Sequence, residues 1–500
     1  MNSLNLMRNA VCVAALFVGG AAHADVTAAD VWADWKSQMA FGGANTVVTG
    51  VEEQTGGTLT VNDITVSMDD GNVEFTSNLG SMTLEEQGDG TVRVTVPESY
   101  PISMTFDGDG TVNLLVSQSG LEMIVSGTAD ALDYDYSAQS VSISLDNIVD
   151  GDVTINADAS IKMSDLTGQS TSRPGDVREI TSTLAVASTD FLLDFQAPGS
   201  EGEYVVASGK VEGLDFDGKV SLPDDADFEN PDDLFAMGFA SEGVFSVDSA
   251  AYIFDINADG DQATGSVSNG ASTFSSQISI DALAYATQTE NLALNMTSGD
   301  FPFPVEIAMS QIGFGLNMPT GQSDEASPFS LNIDLVDLVI NDMIWDLLDG
   351  GRVLPRDPAT LQIGVSGTAR PLVDIMDPTQ SAALVGGQLP YELGDLTIDT
   401  LNVTAVGAEI TGDGAFTFDN TDLETFDGMP RPEGNASVQV NGLNKLMDNL
   451  VSMGLIPEDQ IMGGRMMLGM FARTVGDDQL ETTLEVNGEG HVLVNGQRMR

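Results

Sequence analysis

From residue 47 to about residue 222, apolar and polar positions alternate in short runs broken by Gly and Asp. Val92-Arg-Val-Thr-Val96 and Val141-Ser-Ile-Ser-Leu145 each place their apolar side chains on one face only, the period of a half-buried strand. Residues 153–163 keep that pattern long enough to predict one strand of about 36 Å at roughly 3.3 Å per residue. The breaks are Asp70-Gly71, Asp89-Gly90, Asp107-Gly108, Asp109-Gly110 and Asp150-Gly151, residue types that tolerate the positive φ of tight hairpins. Strands are predicted to resume at 251–256, 277–280, 292–296 and 305–309, and again at 331–336, 361–365, 396–406 and 415–418. So many alternations predict a mainly β fold: a large antiparallel, elongated curved sheet or a β-roll or sandwich, with a few short capping helices.

Helical periodicity is confined to a few places. Residues 28–40 carry Val31, Trp32, Trp35 and Met39 on one stripe, behind Thr27 and Asp30 spaced as a capping box. The two tryptophans read as a docking anchor in a core rather than a ligand site. Asn230-Pro231 has the form of a cap followed by proline at the first helical position. Residues 338–348 and 371–376 read as short helices, the first ended by Asp349-Gly350-Gly351. Residues 434–500 hold the richest helical signal. There a helix over 443–453 aligns Leu443, Leu446, Met447, Leu450 and Met453, and Gly454 and Pro457 stop it. A Met-rich helix and two strands, 482–486 and 491–494, follow, and the whole block is expected to plug or cap the sheet. The acidic, proline-bearing stretch 221–233 is the candidate boundary. It separates a region 25–222 with its leading helix from a region 231–500 with capping helices, the two expected to form one architecture.

Composition adds a compartment. Residues 1–24 have the form of a secretory signal: Arg8, an apolar run over 10–20, and Ala22-His23-Ala24 as the small-x-small cleavage site, which places cleavage after Ala24 and the product in the periplasm. The single cysteine, Cys12, lies inside that run, so the mature chain is expected to hold neither disulfide nor reactive thiol. No later stretch reaches the roughly 18 uninterrupted apolar residues of a membrane-spanning helix, so a soluble protein without stable membrane insertion is expected. With 17 Lys plus Arg against 76 Asp plus Glu, the net charge is −59. Such a surface repels nucleic acid and anionic lipid headgroups, while 42% hydrophobic residues still allow a packed core.

Candidate chemistry is sparse. Beyond residue 24 one histidine remains, His491, in a predicted strand, so neither a Ser-His-Asp triad nor a His-rich zinc site has its parts. No Gly-rich phosphate loop is present, and carboxylate pairs in so acidic a chain carry no information about glycosidase chemistry. These features lead to the expectation that the chain is not an enzyme, has no catalytic residues and needs no cofactor. The one metal-like pattern is Asp255, Asn257, Asp259 and Asp261, which match the first half of a calcium loop with Gly260 at its sixth position. Its twelfth position is Ser266 instead of Glu, and its flanks read as strands, so an Asp-Gly hairpin is the competing reading. The apolar face itself must be covered by a second sheet, by helices, or by something that is not protein. The last alternative makes a groove for lipid or another apolar ligand, where Met and Leu suit variable chains.

The C-terminal block, the segment Leu354-Pro-Arg-Asp-Pro-Ala-Thr-Leu361 and the sequence Asp30-Val-Trp-Ala-Asp-Trp-Lys36 resemble an exported Gram-negative bacterial family, domain of unknown function 2125. That resemblance implies no activity and no catalytic residues. At the level of pattern, long strands with a late helix pair are similar to AsmA-like periplasmic proteins, whose curved sheets are thought to handle envelope lipids. The leading expectation is a non-enzymatic soluble periplasmic envelope protein that holds lipid or another apolar ligand on its sheet face. The alternative is a secreted acidic structural or adhesive β protein with calcium-binding Asp-Gly turns.

Overall fold

The computed structural model describes residues 26–39, 46–69, 73–106, 110–151, 153–155, 157–196, 202–223, 234–258, 260–377, 380 and 390–500. The signal segment, the turns at 70–71 and 107–109, the stretch 224–233 with its Asn230-Pro231 helix start, and Asp259 lie outside the described residues. The expected class is observed: strands dominate in a large antiparallel sheet, with four short helices among the described residues. Contacts divide the chain into two compact units. One runs to Ser266 and includes Ser298–Asp300; the other comprises Val267–Thr297 and Phe301–Arg500.

The first unit holds a dry core. Helix α1 (Ala28–Met39) opens it, and the predicted capping box is made. The Thr27 amide donates to the Asp30 carboxylate at 3.0 Å, and the Asp30 amide donates to the Thr27 hydroxyl at 3.2 Å. Val31, Trp32 and Trp35 are buried in one cluster with Val61, Ile64, Met82, Leu84, Val125, Leu132 and Tyr134. The Trp32 indole donates to Glu52 at 2.6 Å, so its polar edge is satisfied while its ring packs.

Asp34 enters that core with the helix. Its carboxylate accepts from the Tyr134 hydroxyl, from the Arg178 guanidinium, from the Ser172 hydroxyl at 3.0 Å and from the Gln38 side-chain amide at 2.6 Å. Arg178 also donates to Ser37 at 2.9 Å, so two positions of the helix are tied to the strand Val177–Gln196. Burial first, and the neighbouring Asp34 charge second, raise the Tyr134 hydroxyl well above the usual tyrosine range.

The strands are longer than the sequence pattern predicts. Ala131–Asp150, Val177–Gln196 and Tyr204–Pro223 each have 20 residues, which at roughly 3.3 Å per residue is about 66 Å. The single strand predicted at 153–163 is instead two, Val153–Ile155 and Asp158–Arg173. Pairing with Ala131–Asp150 slips by one residue between Ile148↔Ile155 and Ser144↔Ser160, which breaks the ladder there.

Inside several strands a non-glycine residue takes a left-handed backbone: Asp63, Asp165, Asn291 and Asp337 have φ of 53, 51, 50 and 54°. Each is followed by Ile or Leu. Such a residue flips the side-chain alternation, so Met163 and Leu166, three apart on one strand, both face the core cluster.

Two predicted helices change. The segment 338–348 is a strand end and then helix α2 (Asp342–Leu348). Val339 and Ile340, a β-branched pair, stay in the ladder against Ala308 and Ile307. Asn341 starts the helix, its side chain accepting from the Ile344 amide at 3.4 Å. Residues 371–376 are not helical, because their amides turn to carbonyls distant in sequence: Leu372 donates to the Pro390 carbonyl at 2.8 Å and Ile375 to that of Thr320 at 2.9 Å.

In the C-terminal block, α3 (Leu443–Ser452) and α4 (Glu458–Phe471) form as predicted. Gly454, at φ 73°, closes α3 with paired bonds from its own amide to Val451 and from Leu455 to Leu450. Only Met447 of α3 and Ile461 of α4 are buried, so the pair caps less of the sheet than its apolar stripes predict. Strands Gln479–Val486 and Val492–Val494 follow, and His491 stands just outside the second.

Candidate functional site

The second unit builds an amphipathic sheet from register alone. On one face, Leu316, Leu331, Val365 and Ile398 stand opposite one another on successive strands. A second row is Phe314, Ile333, Ile363 and Leu401, and a third is Ile312, Leu335, Leu361 and Val403. The third row continues through Ile410, Val440 and Leu480. Between Ile398 and Leu401 the register shifts, and that bulge keeps the two side chains on the same face.

The other face carries polar and small residues at the matching positions, with Asn332, Asp334, Gln362 and Asn402 among Gly313, Gly315 and Gly364. Gln362 donates to Asp334 at 3.0 Å and Asn402 donates to Gln362 at 3.3 Å, a ladder of amides and carboxylate across three strands. On the apolar face Gly367 stands opposite Phe329, and an added Cβ there would meet the Phe329 ring.

What distinguishes the apolar face is its incomplete cover. Ile64, Leu84 and Val125 in the first unit are fully shielded from solvent, whereas none of the side chains in the three rows is buried. At one margin Phe274, Tyr285 and Phe314 step diagonally over three strands, with ring centroids 5.0 and 6.0 Å apart. Tyr285 and Phe314 remain 39% exposed, more than ring packing in a closed core allows. Leaving such side chains half wet forgoes on the order of 1 kcal/mol each. The arrangement is an apolar surface that the fold does not seal from solvent.

Near the end of these rows, the segment 354–361 folds back on α2. Arg356 donates to Asp342 at 2.8 Å, to Asp346 at 2.6 Å and to the Asp349 carbonyl at 3.0 Å. The buried Asp349 carboxylate accepts from the Val353 and Leu354 amides at 3.0 and 2.7 Å. Hydrogen bonds from those amides hold the Asp349 carboxyl below its ordinary range. This motif is therefore a strap that fastens a helix.

The calcium pattern is only partly brought together. Asp255 and Asn257 lie on the strand Ser249–Ala258 and Asp261 opens the strand Asp261–Asn269. Asp259 is outside the described residues. The Asp255 carboxylate already accepts from the Tyr204 hydroxyl and the Gln262 side chain, each at 3.0 Å. That hydrogen bond raises the Tyr204 hydroxyl above its usual pKa. Among the described residues no group of three or more His, Cys, Asp or Glu is placed to hold a metal ion. His491 is half-buried, with Nδ1 3.3 Å from Glu489.

A shallow groove of about 720 Å³ crosses the first unit, where Glu122, Asp135, Asp215 and Asp217 alternate with Ile124, Leu184, Phe216 and Val244. Asp135 is engaged there by Gln169 at 2.9 Å.

Fold and site together define a mainly β protein with a large antiparallel sheet, a buried core around α1 in the first unit and a half-open apolar face in the second. The chain belongs to the family described as uncharacterized protein conserved in bacteria (DUF2125), whose model matches residues 247–496. The matched span takes in the Arg356 strap, the apolar rows and the C-terminal helices, and α1 lies outside it. No curated protein matches the chain. Among solved structures, the FrpB iron transporter from Neisseria meningitidis (F5-1 variant) is similar over 88% of this chain and 77% of that chain, at 10% identity and a TM-score of 0.15. So low a score carries no argument, and the likeness to AsmA-like proteins gains no support from these comparisons. No helix among the described residues is long and apolar enough to cross a membrane.

Proposed function

We propose that the protein is a non-enzymatic envelope protein of the periplasm that holds lipid or another apolar ligand on the open sheet face of its second unit. The observation that carries this reading is the set of three apolar rows over strands Val305–Pro319, Ser327–Ile340, Ala359–Pro371 and Tyr391–Ala405, none of whose side chains is buried. A ligand that completes their burial gains what the fold leaves unclaimed. Strand-borne Leu, Ile and Val give a broad surface without directional donors, which suits chains of variable length and saturation. The signal-like segment 1–24 supports export, and a net charge of −59 supplies a hydrated coat around an apolar cargo.

Native mass spectrometry with lipid extraction, on protein purified from its own periplasm without detergent, tests the proposal. Stoichiometric lipid is the expected result. A bare-chain mass in every preparation would remove the reading.

A further inference from the structure

The outward stripe of α4 is a strongly exposed apolar surface of the second unit. Met462, Met466 and Met470 repeat at i, i+4 and i+8 with Met467 and Phe471 beside them, and their exposures are 62, 71, 66, 59 and 40%. Leu455, in the turn between α3 and α4, adds a side chain 60% exposed. The inward stripe is Ile461, Gly464 and Leu468. Arg465 fixes this orientation, donating to Asp448 at 2.7 Å and to the Asn444 carbonyl at 3.0 Å, both on α3. α4 also carries Gly463, Gly464 and Gly469, and a Cβ at any of the three would meet nothing within 4 Å. Packing within the fold therefore does not require these glycines, although each weakens an isolated helix.

Charge selects the occupant. Over residues 442–476, Lys445, Arg465 and Arg473 balance Asp448, Glu458 and Asp459, so this stretch is neutral in a chain of net charge −59. A second copy would bring another −59 charges against the first. A basic protein would be drawn to the acidic surfaces rather than to the neutral stripe. A zwitterionic bilayer meets neither obstacle, and its interface accepts Met, Leu and Phe from a helix lying in its plane.

We propose that the outward face of α4, together with Leu455, is an interfacial anchor that seats the protein reversibly on a zwitterionic lipid bilayer. This goes beyond the holding of a ligand on the sheet face, and either can fail without the other.

The test is flotation of the full chain with phosphatidylcholine–phosphatidylethanolamine vesicles, alongside the Met466→Glu/Met470→Glu double variant. The milder Met462→Gln/Met466→Gln pair is run in parallel, and circular dichroism confirms that each variant is folded. The expected result is flotation of the unchanged protein and at least about a tenfold loss of the bound fraction in the Glu variant. A smaller loss is expected for the Gln variant, with lipid content by native mass spectrometry unchanged in both. No flotation of the unchanged protein, equal flotation of the variants, or stronger binding to anionic vesicles would each overturn the proposal. So would a dimer in sedimentation that the Glu substitutions dissociate, which would assign the stripe to a second copy.

Discussion

Asp34 sits on the inward side of a helix otherwise anchored by valine and tryptophan, and four donors meet its carboxylate. A charge so placed is tolerated only while its partners are present, since removing one leaves the other buried and unpaired. Asp34→Asn is expected to cost about 3–5 kcal/mol, measured by urea unfolding with tryptophan fluorescence as the probe. Asp34→Leu combined with Arg178→Met should cost less than Asp34→Asn alone, because no uncompensated charge remains. A loss under about 1 kcal/mol for Asp34→Asn would show that the pair is not shielded as described.

The buried tyrosines set a second, pH-dependent expectation. Burial pushes Tyr100 and Tyr136 up to about 12 from an ordinary value of 10.0, and Tyr134 is raised as well. A raised folded-state pKa means that the stabilisation is complete below pH 10 and is lost as pH climbs from about 10 through about 12. Each of Tyr100 and Tyr136 then contributes a slope of roughly 1.4 kcal/mol per pH unit. Thermal melts over that range should show a steep alkaline fall, made shallower by Tyr100→Phe. A flat profile up to pH 12 would contradict it.

Among the elements, the strands are shaped by the left-handed residues within them. Asp337, at φ 54°, passes the chain from the pairing Gln311↔Val336 to Ala308↔Val339, and its carboxylate accepts from the Ser310 hydroxyl at 3.0 Å. Asp337→Val is expected to lower stability by about 1–2 kcal/mol, because a β-branched side chain resists this conformation, whereas Asp337→Gly should be close to neutral. Equal losses from both substitutions in chemical denaturation would point to the Ser310 hydrogen bond instead of the backbone.

The same residues mark where the sequence stopped being legible. Period-two alternation revealed the class of fold and most strands, and capping chemistry revealed α1 through Thr27 and Asp30. The inversions were written as Asp-Ile, Asp-Leu and Asn-Leu pairs at 63–64, 165–166, 291–292 and 337–338, which also serve as ordinary strand or turn residues. A local pattern therefore could not place them inside long strands. At 338–340 the apolar run suits either a helix or a strand, and pairing with residues 307–308, distant in sequence, decides it.

At the scale of the molecule, one chain treats its apolar surface in two ways. Around α1 the first unit shields it in the cluster that holds Tyr134 and Leu84, while Ile161 and Ile253 of that unit stay exposed and the second unit leaves Ile333, Ile363 and Leu401 half open. Alternation foretold that both regions would have an apolar face. It could not foretell which would be covered, because cover comes from elements far away in sequence. At Asp255 too a distant partner is added that spacing does not announce: the Tyr204 hydroxyl, 51 residues away, donates to its carboxylate.

The central claim is that the open face carries an apolar ligand. Its most direct test is photocrosslinking in the cells that make the protein, with a benzophenone amino acid placed at Ile363 or at its neighbour Gln362. These adjacent positions point to opposite faces of one strand. Lipid adducts, detected by mass spectrometry of the purified protein, are expected at Ile363 and not at Gln362. Equal labelling at both positions, or a folded protein with no adduct at Ile363, would contradict the claim.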